Sequence, residues 1–441
     1  MISITYALFM FGIFVIIACI LSNSDFSSPS FIYFASFFLC VGCSVVLAKE
    51  WGMTLLDINT FFVFMYSSIT FLSTELIIRI AAKLFKVNSK NDYLPIIERH
   101  PIELSKSIVY FTIFLGAICI LWSLAIILSY GGGSSWNSIM AGYKKMVNLE
   151  AASLGGGRMI LSQINKVLLA LNYIILYAYI YNNSIKKMYL KEKRIYLVSF
   201  AEYIIFRLLF SGGRQSSLFF LVAWLTCSYI CNTYKKRRSQ VKKEKRKYAK
   251  VSVTVILIMI PLFYLVGRMV GRKESETIYE AASNYLSTGI YYFNIIVKNQ
   301  YTSSCWGEVS FPGLFPILKF FDIIPKGTEI MSFLPFSWHG NTVTLLGRWY
   351  WDFGLKGVLL MTSLVSFIFN YIYYFKIKYA ASIKENHFFV IIYIFLIHVL
   401  YFAGYDDFSF NIWTSNYLLI FILIYITFRF VVVHKLRIKI Y

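Results

Sequence analysis

Long apolar stretches, none interrupted by more than one or two ionisable side chains, recur from the first residues of this chain to its last. A helix needs roughly 20 mostly apolar residues to cross the hydrocarbon of a bilayer, and about eleven segments of the sequence approach that length. They run from Ile2 to Leu21, Phe31 to Ala48, Ile58 to Ile80, Ile108 to Ser129, Met159 to Tyr181, Ile195 to Ser211, Ser216 to Asn232, Val251 to Val266, Phe353 to Phe375, Phe388 to Phe402 and Trp413 to Phe430. None alternates with period two, so the backbone groups that lipid leaves without water are satisfied inside helices and not in a barrel. With 58% hydrophobic and only 15% charged residues, a soluble globule with a polar surface is excluded. The expected fold is an all-α polytopic membrane bundle of about eleven spans, between ten and twelve, forming one domain over residues 1–441.

The basic residues orient it. Five segments, Arg79 to Lys106, Lys186 to Arg194, Lys235 to Lys250, Lys376 to Lys384 and Arg429 to Lys439, hold 28 of the 43 Lys and Arg. All five fall on one side when the spans alternate, which makes that side cytoplasmic and places the C-terminus there and the N-terminus outside. The first residues lack a basic n-region and a small-residue cleavage site, so no cleavable signal peptide is expected. The formal charge of +22 is then mainly a topology signal. The Lys235 to Lys250 run lacks the interleaved aromatics of a nucleic-acid surface and reads as an anchor to anionic headgroups, with no nucleic acid as partner. Six of the seven cysteines sit inside spans and only Cys305 lies outside, so no disulfide framework is expected, and Cys40-x-x-Cys43 reads as packing.

Two outer segments are too long to be turns, residues 130–158 and residues 267–351. The first is bracketed by two Gly triplets, with Asn137 to Leu149 expected as a short amphipathic helix at the interface. The second carries Trp306, Trp338, Trp349 and Trp351 with four prolines; aromatic faces suit the apolar faces of sugars as well as the membrane interface. Arg158, Arg214, Arg268, Arg272, Lys273 and Arg348 collect near the outer ends of spans. Guanidinium forks match phosphate oxygens, and an arginine at a helix end also snorkels to headgroups. Arg214 stands apart because Ser211-Gly212-Gly213-Arg214-Gln215-Ser216 is a turn that opens the next helix, where free N–H groups favour an anion. Within the membrane, Asn165, Lys166, Glu202 and Arg207 are the costly groups, with Glu202 and Arg207 expected to address different neighbours. Arg207 and Arg214 would share a face if one helix carried both. Asp406 and Asp407 read as a solvated turn pair in preference to a cation site, and no metal is expected.

Taken together, the Ser28-Pro29 turn, the Trp51 loop, Ser211-Gly212-Gly213-Arg214, the Trp306-Gly307 to Phe311 segment, and Asn341-Thr342 followed by Tyr350-x-Asp352-Phe353-Gly354-x-x-Gly357 resemble the Wzy-type O-antigen polymerases, the oligosaccharide repeat unit polymerase family. The last two motifs are the specific ones. The resemblance implies a GT-C-like membrane glycosyltransferase in the bacterial inner membrane, its active site facing the periplasm. It implies an undecaprenyl-diphosphate-linked oligosaccharide as substrate, membrane lipid as surroundings, and a chain-length regulator and a flippase as partner proteins, with no cofactor. The absence of a nucleotide-binding domain or Gly-rich phosphate loop agrees. Such a reaction joins an acceptor hydroxyl to an anomeric carbon and expels the lipid diphosphate, building O-antigen or capsular polysaccharide. The candidate catalytic residues are Arg214, first for the diphosphate, and Arg348, with Asp352, Glu308 and His339 as base or sugar-orienting groups. Arg158, Arg207, Arg268, Arg272, Asn341 and Tyr350 are the candidate diphosphate- and glycan-binding residues. Asp352, four residues after Arg348, is equally a structural partner for it at the helix start.

Two other functions share features with this one. An O-antigen ligase has a similar fold and outer loop, and His339 keeps it in contention. A lipid-linked oligosaccharide flippase, which is no enzyme, calls for related halves and short outer loops, and no internal repeat is evident here. A membrane acyltransferase would need a partnered intramembrane histidine, and His398 has no evident partner in the sequence.

Overall fold

In the computed structural model the described residues are 1–88, 101–130, 133–149, 155–211, 214–233, 238–269, 277–303, 306–323, 342–380 and 386–430. Apart from a two-residue ladder pairing Ile2 with Leu56 and Ser3 with Leu55, the regular structure is helical. Among the described residues seven helices are long and apolar enough to cross a membrane: α1 (Ile4–Leu21), α2 (Pro29–Leu47), α3 (Ile58–Asn88), α4 (Lys106–Tyr130), α6 (Gly155–Ile185), α8 (Gln215–Thr233), and α12 (Leu345–Asn370) continued by a π-helix, Tyr371–Lys378. Helices α7 (Leu190–Ser211) and α9 (Arg238–Met269), and the shorter α13 (His387–Leu396), α14 (His398–Tyr401) and α15 (Ser415–Phe428), carry the other segments read as spans. The chain is therefore a polytopic helical membrane protein. On α1 the exposed side chains Tyr6, Phe9, Ile13, Ile16 and Ile20 follow a spacing of three and four, an apolar stripe that fits lipid, while Ala7, Phe11 and Ala18 are buried behind it.

The described chain divides into two compact units. The first comprises Met1–Pro95, Tyr279–Phe389 and Leu396–Leu418. Its core is aromatic: Tyr33 stacks on Phe71 at 4.2 Å, Phe11 on Phe37 at 5.0 Å, and Phe64 meets Phe293 at 5.0 Å. Phe293 belongs to α10 (Ile278–Lys298), a helix inside the stretch expected as outer loop. It buries Ile290, Tyr292, Ile296 and Val297, and its Asn294 accepts hydrogen bonds from Asp57 N and Thr60 Oγ1, both at 2.9 Å. Short helix α11 (Phe315–Phe320) lies in the same stretch.

The second unit comprises Ile96–Ile278, Val390–Phe395 and Leu419–Tyr441. Helices α4, α6 and α7 enclose Cys119, Ile127, Leu161, Leu168 and Phe206, and α5 (Trp136–Leu149) joins them by burying Met140 and Tyr143. α5 is the amphipathic helix expected over Asn137 to Leu149, one residue longer. The basic run after Lys235 is helical from Arg238 and continuous with α9, as strong helix formers allow. α7 ends at Ser211 and α8 starts at Gln215, so no single helix carries Arg207 and Arg214 on one face.

Candidate active site

Within the first unit, the N-terminal end of α12 is held by two main-chain bonds: Thr344 N donates to Gly289 O at 3.4 Å and Leu345 N to Ala403 O at 2.8 Å. One turn further Arg348 is buried, its guanidinium 4.7 Å over the Phe410 ring and its Nη1 donating to Val309 O at 3.3 Å. Its Nε has no partner. The charges acting against it are Asp406 and Asp407, in the turn after α14. Asp406 Oδ1 accepts from Asp407 N at 2.9 Å. Asp407 Oδ1 accepts from Ser409 N at 2.8 Å and Ser409 Oγ at 2.6 Å, while its Oδ2 is buried without a partner. Asp407 is 0% exposed, with Ala403, Phe408 and Ser409 buried beside it and Asp406 half-buried, which corrects the reading of a solvated pair. Burial pushes Asp406 up to about 7 and Asp407 up to about 6, against the opposing pull of Arg348; Asp407 raises Asp406 further.

The second half of the site is where the two specific motifs meet. Asp352 does not pair with Arg348; its carboxylate accepts from Ser310 N at 2.6 Å and Val309 N at 3.4 Å, pinning the 306–311 segment to α12. Ser303 N donates to Trp351 O at 3.1 Å, and Tyr301 stacks on Trp351 at 5.2 Å. Beyond Asp352 the rings of Trp306, Phe311 and Phe353 cluster, Trp306 lying 4.9 Å from Phe353 and Phe311 5.9 Å from it. The glycines of the motif serve this geometry. Gly354 (φ 62°, ψ −157°) breaks α12 in a conformation that side chains resist, and a Cβ at Gly357 would run into Phe353. Glu308, in the pinned segment, is buried at 1% exposure, and Tyr350 is half-buried with its ring edge-on to Phe293 at 6.3 Å. Arg348, Asp352 and the flanks of Glu308 are thus brought together.

The remaining predicted residues lie in the second unit or outside the described set. Arg158 donates to Tyr143 Oη and, at 3.3 Å, to Phe210 O, and lies over both rings, which ties α5, α6 and α7 together. Arg207 donates to Asn165 Oδ1 at 2.8 Å and to Ser216 Oγ, whereas Glu202 faces Gly116 of α4, so the two do address different neighbours. Lys166 donates to Gln163 Oε1 at 2.9 Å. Arg214 is buried just ahead of α8, its carbonyl accepting from Ser217 N and Leu218 N, with its guanidinium against Gly267. His339, Asn341 and Arg272 fall outside the described residues, as does the side chain of Arg268 on α9.

Sequence reasoning passed over a polar cluster in the first unit. Asp25, between α1 and α2, accepts from Lys378 Nζ at 2.7 Å, Tyr373 Oη at 2.5 Å and Ser27 Oγ at 2.9 Å. Glu75 of α3 accepts from Ser30 N at 3.1 Å, Ser28 Oγ at 3.2 Å and Tyr374 Oη at 2.5 Å. The π-helix carries both tyrosines and the lysine, and the cluster fastens the turn that begins at Ser22 to α3. Its acceptors are filled, which marks it as structural. Among the described residues no three His, Cys, Asp or Glu side chains converge to hold a metal. Comparison with protein-family models, curated proteins and solved structures finds no match for this chain.

Proposed function

We propose that the protein polymerises undecaprenyl-diphosphate-linked oligosaccharide repeat units into O-antigen or capsular polysaccharide at the periplasmic face of the bacterial inner membrane. The observation that carries this reading is the docking of the Trp306 to Phe311 segment on Tyr350 to Gly357 through Asp352, beside a buried arginine. The two stretches whose sequence resembles the repeat unit polymerases form one structure, although 42 residues separate Ser310 from Asp352. The chemistry required is proton removal from an acceptor hydroxyl, charge compensation at a departing diphosphate, and a surface for sugars. Arg348 and the carboxylates around it suit the first, and exposed Trp306 with Phe311 and Phe353 suits the last. Arg214, buried at the start of α8, is the guanidinium proposed for the diphosphate. Asp352 is assigned the positioning of the 306–311 segment in place of the base role, because backbone N–H groups occupy its carboxylate.

Deletion of the gene in its native host tests the reading, with lipopolysaccharide run on a gel that resolves single repeats. A core carrying one repeat, restored to long polymer by the wild-type gene and not by Arg348→Ala at equal protein level, is the expected result. A bare core would reassign the protein to ligase or flippase.

A further inference from the structure

Asp407 and Arg348 present complementary unfilled valences in the interior of one unit. Asp407 Oδ2 is an acceptor without a donor on a side chain that is 0% exposed, and Arg348 Nε is a donor without an acceptor on one that is 7% exposed. Buried polar atoms left in this way cost free energy, and a ligand that fills them removes the cost. Phosphate oxygens satisfy the guanidinium but are repelled by the carboxylate, and an ammonium does the reverse. A sugar hydroxyl both donates and accepts, so it answers the two together.

Resting on the polymerase reading, we propose that Asp407 is the catalytic base for the acceptor sugar: its Oδ2 receives the hydroxyl proton while Arg348 Nε donates to the same oxygen. As the proton passes to the carboxylate, the acceptor oxygen forms a bond to the anomeric carbon of the donor chain. The bond from that carbon to the diphosphate oxygen breaks and its electron pair leaves with the lipid diphosphate. Asp407 then returns the proton to water. Oδ1 accepts from Ser409 N and Oγ, which holds the side chain in place and leaves Oδ2 for the hydroxyl. The charged group acting on Asp407 is Arg348 from α12; Asp406 beside it titrates higher and is neutral where Asp407 ionises. With both carboxyls displaced upward, to about 6 and about 7, the base is poised near neutral pH.

The test uses purified full-length protein in lipid nanodiscs with the host's undecaprenyl-diphosphate-linked repeat unit, scoring polymer formed per minute. Asp407→Asn is expected to lower turnover at least about a hundredfold with KM for the repeat unit within about twofold. Wild type should lose activity on acidification through about pH 6, as the Asp407 carboxylate takes up its proton. Turnover of Asp407→Asn within about threefold of wild type, or a wild-type profile flat from about pH 5 to pH 8, overturns the assignment. If Asp407→Asn fails to fold, the wild-type limb decides. Failure of the wild-type protein itself to polymerise lipid-linked repeats would instead defeat the polymerase reading.

Discussion

Replacing Asp352 by Ala removes the acceptor that holds two main-chain donors, and the consequence can be sized. Val309 and Ser310 are 0% and 1% exposed, so neither N–H gains water when the carboxylate goes. An orphaned buried donor costs about 1–3 kcal/mol. The Ser310 bond at 2.6 Å is assigned about 2 kcal/mol of that range and the longer Val309 bond at 3.4 Å about 1 kcal/mol. Together they give about 3 kcal/mol, or roughly a hundredfold larger open population of the 306–311 segment at ~1.4 kcal/mol per factor of ten. Hydrogen exchange in detergent, read on a peptide covering residues 306–311, measures that population directly. Exchange there should accelerate roughly a hundredfold in Asp352→Ala, and about tenfold in Asp352→Asn, whose single amide oxygen keeps one bond. Peptides from α1 to α3 should exchange as in wild type. Unchanged exchange at 306–311 would mean the carboxylate does not pin the segment, and acceleration of equal size throughout would mean that the variant loosens the whole unit.

Asp407→Asn also makes a stability prediction of definite sign: burial raises the carboxyl from 3.8 to about 6, so the stability it contributes is full below about pH 3.8 and lost as pH rises through about 6. Asn cannot ionise, so the variant should exceed wild type by about 3 kcal/mol at about pH 8 and match it near pH 4 in detergent-phase thermal unfolding; a lower melting point at pH 8 would contradict the burial argument. Gly267→Ala sets a methyl where the Arg214 guanidinium lies, and the flexible side chain moves in preference to backbone. Protein level should be unchanged, polymer should fall to the Arg214→Ala level, and the double variant should be no worse than Arg214→Ala; long polymer from Gly267→Ala would show that the position of the guanidinium is immaterial. Gly354→Ala places a Cβ at φ 62°, ψ −157° and should cost about 1–3 kcal/mol, visible as a lower melting point, with an unchanged one meaning that α12 straightens without penalty.

The helices were legible in the sequence because lipid allows so few alternatives. Each long apolar stretch falls on a helix, and α5 was legible as the amphipathic stretch between two glycine triplets. What escaped were elements whose apolar character is diluted. α10 mixes Ser287, Thr288 and Asn294 with its aromatics, and these polar groups lower its hydropathy even though the first two are almost wholly buried. The faces that bury them belong to residues far away in sequence, such as Asp57 and Thr60 against Asn294. The π-helix shows only a run of Tyr, Ile and Phe with two lysines, and nothing in that run announces that Tyr373 and Tyr374 serve two different carboxylates.

The candidate site shows the same division more sharply, since arginines with one sequence signature have different roles. Arg158 and Arg348 stand near span ends and Arg207 within a span, but Arg158 and Arg207 direct their terminal nitrogens to fixed oxygens of neighbouring helices. Arg348 instead faces a carboxylate pair whose inner member keeps an oxygen unfilled. That distinction depends on where acceptors sit after folding, and adjacent aspartates after a glycine read locally as a solvated turn. The flanking Ala403, Phe408 and Phe410 were the available signal, because an acidic pair set among apolar residues is being drawn into an interior. An interior that accepts two carboxylates and one guanidinium carries a surplus of negative charge, which a proton can neutralise. The charge count that makes the pair expensive to bury is thus the reason it can take a proton from a substrate near neutral pH, and Arg348→Met, by removing the opposing charge, should carry the loss of thermal stability with rising pH to a higher pH than in wild type, read as the melting point in detergent.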